Sequence, residues 1–299
     1  MKTKNNDRSS ERIVDISINI CLVVVAFMAI YPLWYVLIAS VSEPGAIASG
    51  KVTIWPVGFN LEGYKKLLAT SKIWVGYRNS IIYTLLGTVV NLLVQLPCAY
   101  ALSRKRLPFR RTINILLIIT MYFGGGMVPS YVLMSKLRLI DNPLVMIIPC
   151  CLSVYNVILS KNYFEENIPE SLYEAARIDG SSYTYFFTRI VLPLSPSIIA
   201  IIALFSMQGH WNDYLNAKMY LYSANYQTLQ QVIAQITANL DTTLVDTTAI
   251  TAAELAKSTL EKQLMKYAVV VVASIPMILL YPIVQKFFIK GIMVGAVKG

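Results

Sequence analysis

Six largely apolar stretches of the chain carry no Asp, Glu, Lys or Arg: Ile16–Ser42, Asn79–Ser103, Thr112–Ser135, Asn142–Ser160, Ile190–Asn212 and Tyr267–Gln285. Each has roughly the ~20 residues that an apolar helix needs to cross a bilayer. The pattern predicts an all-α integral membrane protein with six transmembrane helices over residues 16–290, a polar segment over 1–15 and a tail over 291–299. Between the runs, Asn60 can cap a short helix through Leu61, Tyr64, Leu67 and Leu68 that lies at the membrane interface. In the connection over residues 213–266, Leu229, Val232, Ile233, Ile236 and Leu240 follow the i, i+3, i+4, i+7 spacing of a helix. From Ala252 the stretch AAELAKSTLEKQLMKY runs helically into the sixth span.

The runs are not uniformly apolar. In the second, Thr84, Thr88, Asn91 and Gln95 fall on one helix face, and in the fourth Ser153, Asn156 and Ser160 share a side below Pro149. Amide side chains in hydrocarbon need partners or water. Two readings stay open: a pathway lining that offers hydrogen bonds to a hydroxyl-rich solute, or hydrogen bonding between helices. In the third run Gly124, Gly125, Gly126 and then Pro129 predict a break or a very close helix contact at mid-membrane, as a hinge or as plain packing.

Composition narrows the class. With 56% apolar residues and a mean hydropathy of +0.56, the chain is not a soluble domain. The net charge of +10 would suit a nucleic-acid partner, but the basic residues flank the spans, which points to the membrane surface. With both termini inside, the inner segments hold 15 Lys and Arg and the longer outer ones 11, so the positive-inside rule places the termini in the cytoplasm. The first apolar run is long and lacks a small-residue cleavage site, so it reads as a retained span. Cys21, Cys98, Cys150 and Cys151 fall inside spans without metal-ligand spacing and read as packing residues. His210 is the only histidine and reads as a residue of the membrane interface, so neither a metal cluster nor a histidine-based triad is expected. GAIASGKVT, from Gly45, nearly matches a phosphate-binding loop, but Val52 stands where a hydroxyl would hold Mg²⁺ and no buried strand precedes it. No catalytic residue, cofactor or metal is expected. No charged side chain sits inside a span, which disfavours ion-coupled secondary transport and favours neutral hydroxylated solutes.

One inner connection differs from the rest. PESLYEAARIDGSSYTYFFTRIVLP, from Pro169 to Pro193, reads as two short soluble helices joined at Gly180. Pro169 and Glu170 suit the first turn of a helix, and Gly180 suits the left-handed residue that ends one. The second helix would begin near Ser181–Ser182 and present Tyr183, Phe186, Phe187 and Ile190 on one face, with Pro193 opening the next span. Such a plug suits another protein's groove.

These residues resemble the EAA loop of binding-protein-dependent ABC importer permeases: Glu174, Ala175, Ala176, then Asp179, Gly180, Ile190, Leu192 and Pro193 at fixed spacing. The Ile178-Asp179-Gly180 variant is similar to the carbohydrate, maltose-type branch, and MYFGGGMVPSY from Met121 to that of complex-oligosaccharide permeases. The resemblance implies a type I importer permease fold, a multi-pass place in the cytoplasmic membrane and ATPase coupling through the residues of the loop. It implies as partners a second permease subunit, two ATP-binding subunits and an extracytoplasmic solute-binding protein. The cargo would be a sugar or oligosaccharide, with an amino acid or phosphonate as the alternative. The connection over 213–266 would be a landing surface for the binding protein or a helical cap, and the C-terminal tail would reach toward the ATP-binding subunits.

Overall fold

The computed structural model describes residues 3–242, 262 and 264–282. Among the described residues all regular structure is helical. The chain divides into two compact units, Met1–Thr70 with Thr237–Ser274, and Ser71–Ile236 with Ile275–Gly299.

In the first unit, α1 (Thr3–Ser40) exposes its apolar side chains from Val14 to Trp34 and buries Ile38, Ala39 and Ser40. The segment after it folds back. Trp34 Nε1 donates to the Ile54 carbonyl at 2.8 Å, and the Glu43 amide donates to the Val57 carbonyl at 2.9 Å. Between them α2 (Pro44–Ala48) buries Ala46 and Ile47 beside Ile38, Ala39 and Val52. The near match to a phosphate loop is therefore a short helix, a left-handed turn at Gly50 and a buried Val52, with no helix opening at Ile54. Asn60 Oδ1 accepts from the Glu62 amide at 2.7 Å and starts α3 (Glu62–Leu68), as the sequence predicts.

The second unit is built around α4 (Ser71–Ser103), a 33-residue helix that carries the second run. α5 (Arg110–Tyr122) and α6 (Met127–Lys136) carry the third, bent through 109° at the glycines. The predicted break is present: Gly126 takes φ +86°, a conformation that costs glycine little.

Then come α7 (Val154–Asn167), α8 (Glu170–Ile178), α9 (Tyr183–Phe186), a π-helical turn over Phe187–Val191, α10 (Leu192–Leu194) and α11 (Pro196–Trp211). Beyond them lie α12 (Tyr214–Tyr220), α13 (Leu229–Thr242) and α14 (Leu264–Pro282). α4 packs along α7 and α11 and gives the unit its core.

Among the described residues the helices reach a count of five spans and not six. Three described helices are long and apolar enough to cross a membrane, and two bent pairs bring the number to five. The fourth run, Asn142–Ser160, is a single 3₁₀ turn over Pro143–Met146, then irregular backbone until Ser153 begins α7. Pro149 explains the failure, since it lacks an N–H and pushes the residue before it out of the helical region. The fifth run opens at Pro196 and not at Pro193. The helix continues through Pro193 and breaks at Ser195, where the axis turns 85°. Ser195 precedes Pro196, which disfavours helical geometry there. The predicted helix from Ala252 is described only at 262 and from Leu264, where it is helical and runs into the sixth span; the rest of it, the connection over 243–261 and the tail over 291–299 lie outside the described residues.

Candidate functional site

The first part of the site is the hairpin that follows α7. α8 ends in a paired turn: the Ser181 amide donates to the Ala176 carbonyl at 2.9 Å and the Gly180 amide to the Arg177 carbonyl at 3.1 Å. This is the double closure that requires a left-handed residue, and Gly180 supplies it at φ +80°. Ser182 Oγ then accepts from the Tyr185 amide at 3.2 Å and caps α9. Tyr173 stacks on Tyr183 and meets Phe186 edge-on, each at 5.3 Å between ring centres. Phe186 is fully buried, together with Val191 and, from α7, Phe164. Gly180 itself is open: a Cβ added there would meet nothing within 4 Å.

Glu174, Ala175, Asp179 and Pro193 are exposed, Ala176 is buried, and Ile190 and Leu192 are half-buried. Ala176, Asp179, Gly180, Tyr185 and Ile190 line one open groove of about 610 Å³. Ile178, next to Asp179 in the chain, is 87% exposed. The basic cluster after α4 holds this hairpin. Arg106 pairs with Glu174 at 3.0 Å, Arg104 with Glu170 at 3.4 Å, and Arg110 with Glu165.

The second part is a cavity of about 700 Å³ between α4, α7, α11 and the irregular fourth run. Asn91, Ser153 and Asn156 line it, joined by residues that sequence reasoning did not select: Gln208, His210, Asn212 and Asn216. Thr84, Thr88 and Gln95 are buried and do not line it.

The polar stripe finds its partner in the broken span. Gln95 Nε2 donates to the Cys151 carbonyl at 3.0 Å. The Asn91 amide, oriented to satisfy its neighbours, donates to the carbonyls of Cys150 and Gly87 and accepts from His210 Nε2 and Ser206 Oγ. Backbone freed by Pro149 is thus satisfied from the side, as irregular backbone at membrane depth requires.

His210 is buried within the helices. It is 6% exposed against α4, where only Gly87 leaves room for its ring.

At the Ser71 end of α4, a further set of polar groups seats the segment leading into α13. Asn79 Nδ2 donates to the carbonyls of Asn225 and Gln227 at 2.8 and 2.9 Å, and Ser80 Oγ accepts from the Leu229 amide at 2.8 Å. Gly76, on the same face, lets Leu229 approach: an added Cβ would lie 3.0 Å from its Cα. Nearby, the hydroxyl and then the amide of Ser223 hold the Asp141 carboxyl below the usual carboxylate range.

The model of the binding-protein-dependent transport system inner membrane component matches residues 73–294. The chain belongs to that family. Among these transport components, the polygalacturonan/rhamnogalacturonan transport system permease protein YtcP of Bacillus subtilis (strain 168) is 35% identical over 288 residues, covering 96% of this chain and 99% of the relative. The arabinooligosaccharides transport system permease protein AraQ of Halalkalibacterium halodurans is 25% identical over 284 residues, 92% of this chain and 93% of its own. A crystal structure of a bacterial ABC transporter involved in the import of the acidic polysaccharide alginate contains a chain that superimposes with TM-score 0.81 at 32% identity, covering 93% of this chain and 98% of that one. As a binding-protein-dependent inner membrane component, the chain is a multi-pass cell membrane protein and a transport subunit.

Proposed function

We infer that the chain is the permease subunit of an ATP-driven ABC importer that carries an oligosaccharide across the cell membrane. The observation that carries this reading is near full-length similarity, at 35% and 32% identity, to proteins named for transport connected with polysaccharides. It favours sugar over the amino-acid or phosphonate reading.

The cavity chemistry agrees. The Asn91 amide is spent on its protein partners, but the amides of Asn156, Gln208 and Asn216 and the hydroxyl of Ser153 both donate and accept. A sugar hydroxyl does the same, so it can exchange its water partners for these groups without leaving either side unpaired.

In this reading the exposed hairpin at Gly180, with Glu174, Ala175, Ala176, Asp179, Ile190, Leu192 and Pro193, docks on an ATP-binding subunit, and hydrolysis belongs to that partner. A second permease completes the pathway, and a solute-binding protein delivers the sugar at the Ser71 end of α4. The excess of Lys and Arg in the segments joined to the Ser103 end supports cytoplasmic termini.

The test is uptake. In the native host, deletion of the gene should abolish uptake of labelled oligosaccharides from a plant or algal polysaccharide and leave amino-acid uptake intact. The wild-type chain should restore it, and Gly180→Val should not, at equal membrane abundance, because a β-branched residue is strained at φ +80°. Loss of amino-acid uptake with sugar uptake unchanged would overturn the cargo. Full rescue by Gly180→Val would overturn the coupling role.

A further inference from the structure

A second cavity, of about 660 Å³, opens at the Ser103 end of α4 and belongs neither to the solute path nor to the groove at Gly180. Its walls are Leu93, Pro97, Phe187 and Leu192, and its mouth carries Arg104 and Arg106. From Arg104 to Leu93 is eleven residues of helix, about 16 Å at 1.5 Å per residue. The cavity is therefore graded along the helix, cationic at the end where the charge-free run stops and apolar toward its middle.

The cationic end is not saturated by the protein. The Arg104 side chain is only 11% exposed and its guanidinium lies over the Tyr100 ring at 4.5 Å, yet a single guanidinium nitrogen reaches a carboxylate, Glu170 at 3.4 Å, and its buried Nε has no hydrogen-bond partner among the described residues. Arg106 is 59% exposed while it holds Glu174. Five basic residues over 104–111 stand against Glu165, Glu170 and Glu174, so positive charge remains after every pair is made. A buried, underused donor is costly unless something anionic arrives.

We propose that this cavity binds an anionic phospholipid, its phosphate on Arg104 and Arg106 and one acyl chain along Leu93, Pro97 and Leu192. The polarity gradient selects this occupant. A free phosphate leaves the apolar length empty, and a zwitterionic lipid offsets its own phosphate with a cation at the mouth. The inference rests on membership of the membrane family and not on the identity of the sugar. The lipid would brace α4 against the π-helical turn, on the side of the hairpin away from the Gly180 groove.

The test is native mass spectrometry of the full-length chain, with its co-purifying subunits, titrated in detergent with dioleoyl phosphatidylglycerol or dioleoyl phosphatidylcholine. Phosphatidylglycerol should bind about ten- to thirty-fold more tightly, the scale set by two cations at a membrane surface. Arg104→Gln with Arg106→Gln should remove that preference. Because those changes also loosen the hairpin, Ala101→Trp provides a second arm: Ala101 is exposed on the cavity wall, and an indole there fills the space while every ion pair stays intact. It should abolish lipid retention. Equal binding of the two lipids, retention by Ala101→Trp, or full displacement by inorganic phosphate would each overturn the proposal, the last by leaving an anion site only. Retention that follows a co-purified protein subunit and not added lipid would overturn it too.

Discussion

Gly87→Ala is the most direct probe of the cavity wall. The added methyl would lie 2.4 Å from His210 Nε2 and 2.5 Å from Cε1, closer than carbon atoms approach without displacement. His210 is 6% exposed and bonded to Asn91, so the ring must shift, and Ser206 and Asn91 bonded around it with it. Overpacking of this kind costs about 1–3 kcal/mol. Loss of the His210–Asn91 bond adds about 1 kcal/mol. Replacing a mid-helix glycine returns about 1 kcal/mol of helix propensity. The net is about 1–3 kcal/mol of destabilisation, a fall of several degrees in apparent melting temperature for a chain of this size.

Gly209→Ala is the matched control. It also sits inside a span helix, but an added Cβ meets nothing within 4 Å, so only the propensity gain remains and stability should hold or rise. The assay is thermal melting of detergent-solubilised protein at one fixed scan rate, since membrane proteins seldom unfold reversibly. His210→Ala should rescue Gly87→Ala, giving a double mutant more stable than the sum of the singles. If Gly87→Ala melts with the wild type, or the double mutant is additive, the close packing of His210 on α4 is wrong.

Two shorter tests follow. Gln95→Leu leaves the Cys151 carbonyl without its donor in a buried place, so it should cost about 1–3 kcal/mol of stability and lower uptake in proportion; lost uptake at unchanged stability would make Gln95 a pathway residue. Phe186→Ala should lower both melting temperature and the sugar moved per ATP hydrolysed, whereas Arg106→Gln should leave melting within about 0.5 kcal/mol of wild type, as exposed ion pairs do; the reverse order would place the hairpin's anchorage in its charges.

What could be read from the sequence divides by range. The hairpin was legible because its signals are local: Glu170 in a first turn, Gly180 at a left-handed stop and Ser182 at a cap each act within four residues. The glycine break was legible for the same reason. The fourth span was not. A count of charges cannot see that Asn142–Ser160 contains Pro149, that Asn142 instead starts a 3₁₀ turn, and that Ser153 caps a later helix. Pro149 was noted, but a proline in a membrane helix is tolerated when neighbours re-satisfy its backbone. The deciding information sat on another helix, in Asn91 and Gln95. His210 failed similarly: its burial depends on Gly87, 123 positions earlier, and no local pattern links them. Gln208 and Asn216 join the cavity only because α11 and α12 turn around Asn212, which the apolar periodicity does not report.

The same magnitudes decide what can carry movement from the hairpin to the cavity. Four ion pairs link the basic cluster to α7 and α8, but each is partly exposed and worth at most about 1 kcal/mol. A force applied at Gly180 would break them before it moved α4. The aromatic contact is of another size. Tyr100 of α4 lies 5.0 Å from Phe187 and 5.9 Å from Phe164, while Phe186 is fully buried beneath Tyr173. Burial of one such ring is worth about 2–3 kcal/mol before any aromatic pairing is added, and close-packed rings resist compression in a way that solvated charges do not. From Tyr100 the α4 helix continues through Pro97 to Asn91, nine residues or about 13 Å away. On the docking role proposed for the hairpin, a displacement there would reach the cavity through stacked rings and one helix. The ion pairs would then set the register of the hairpin, and the rings would carry the load.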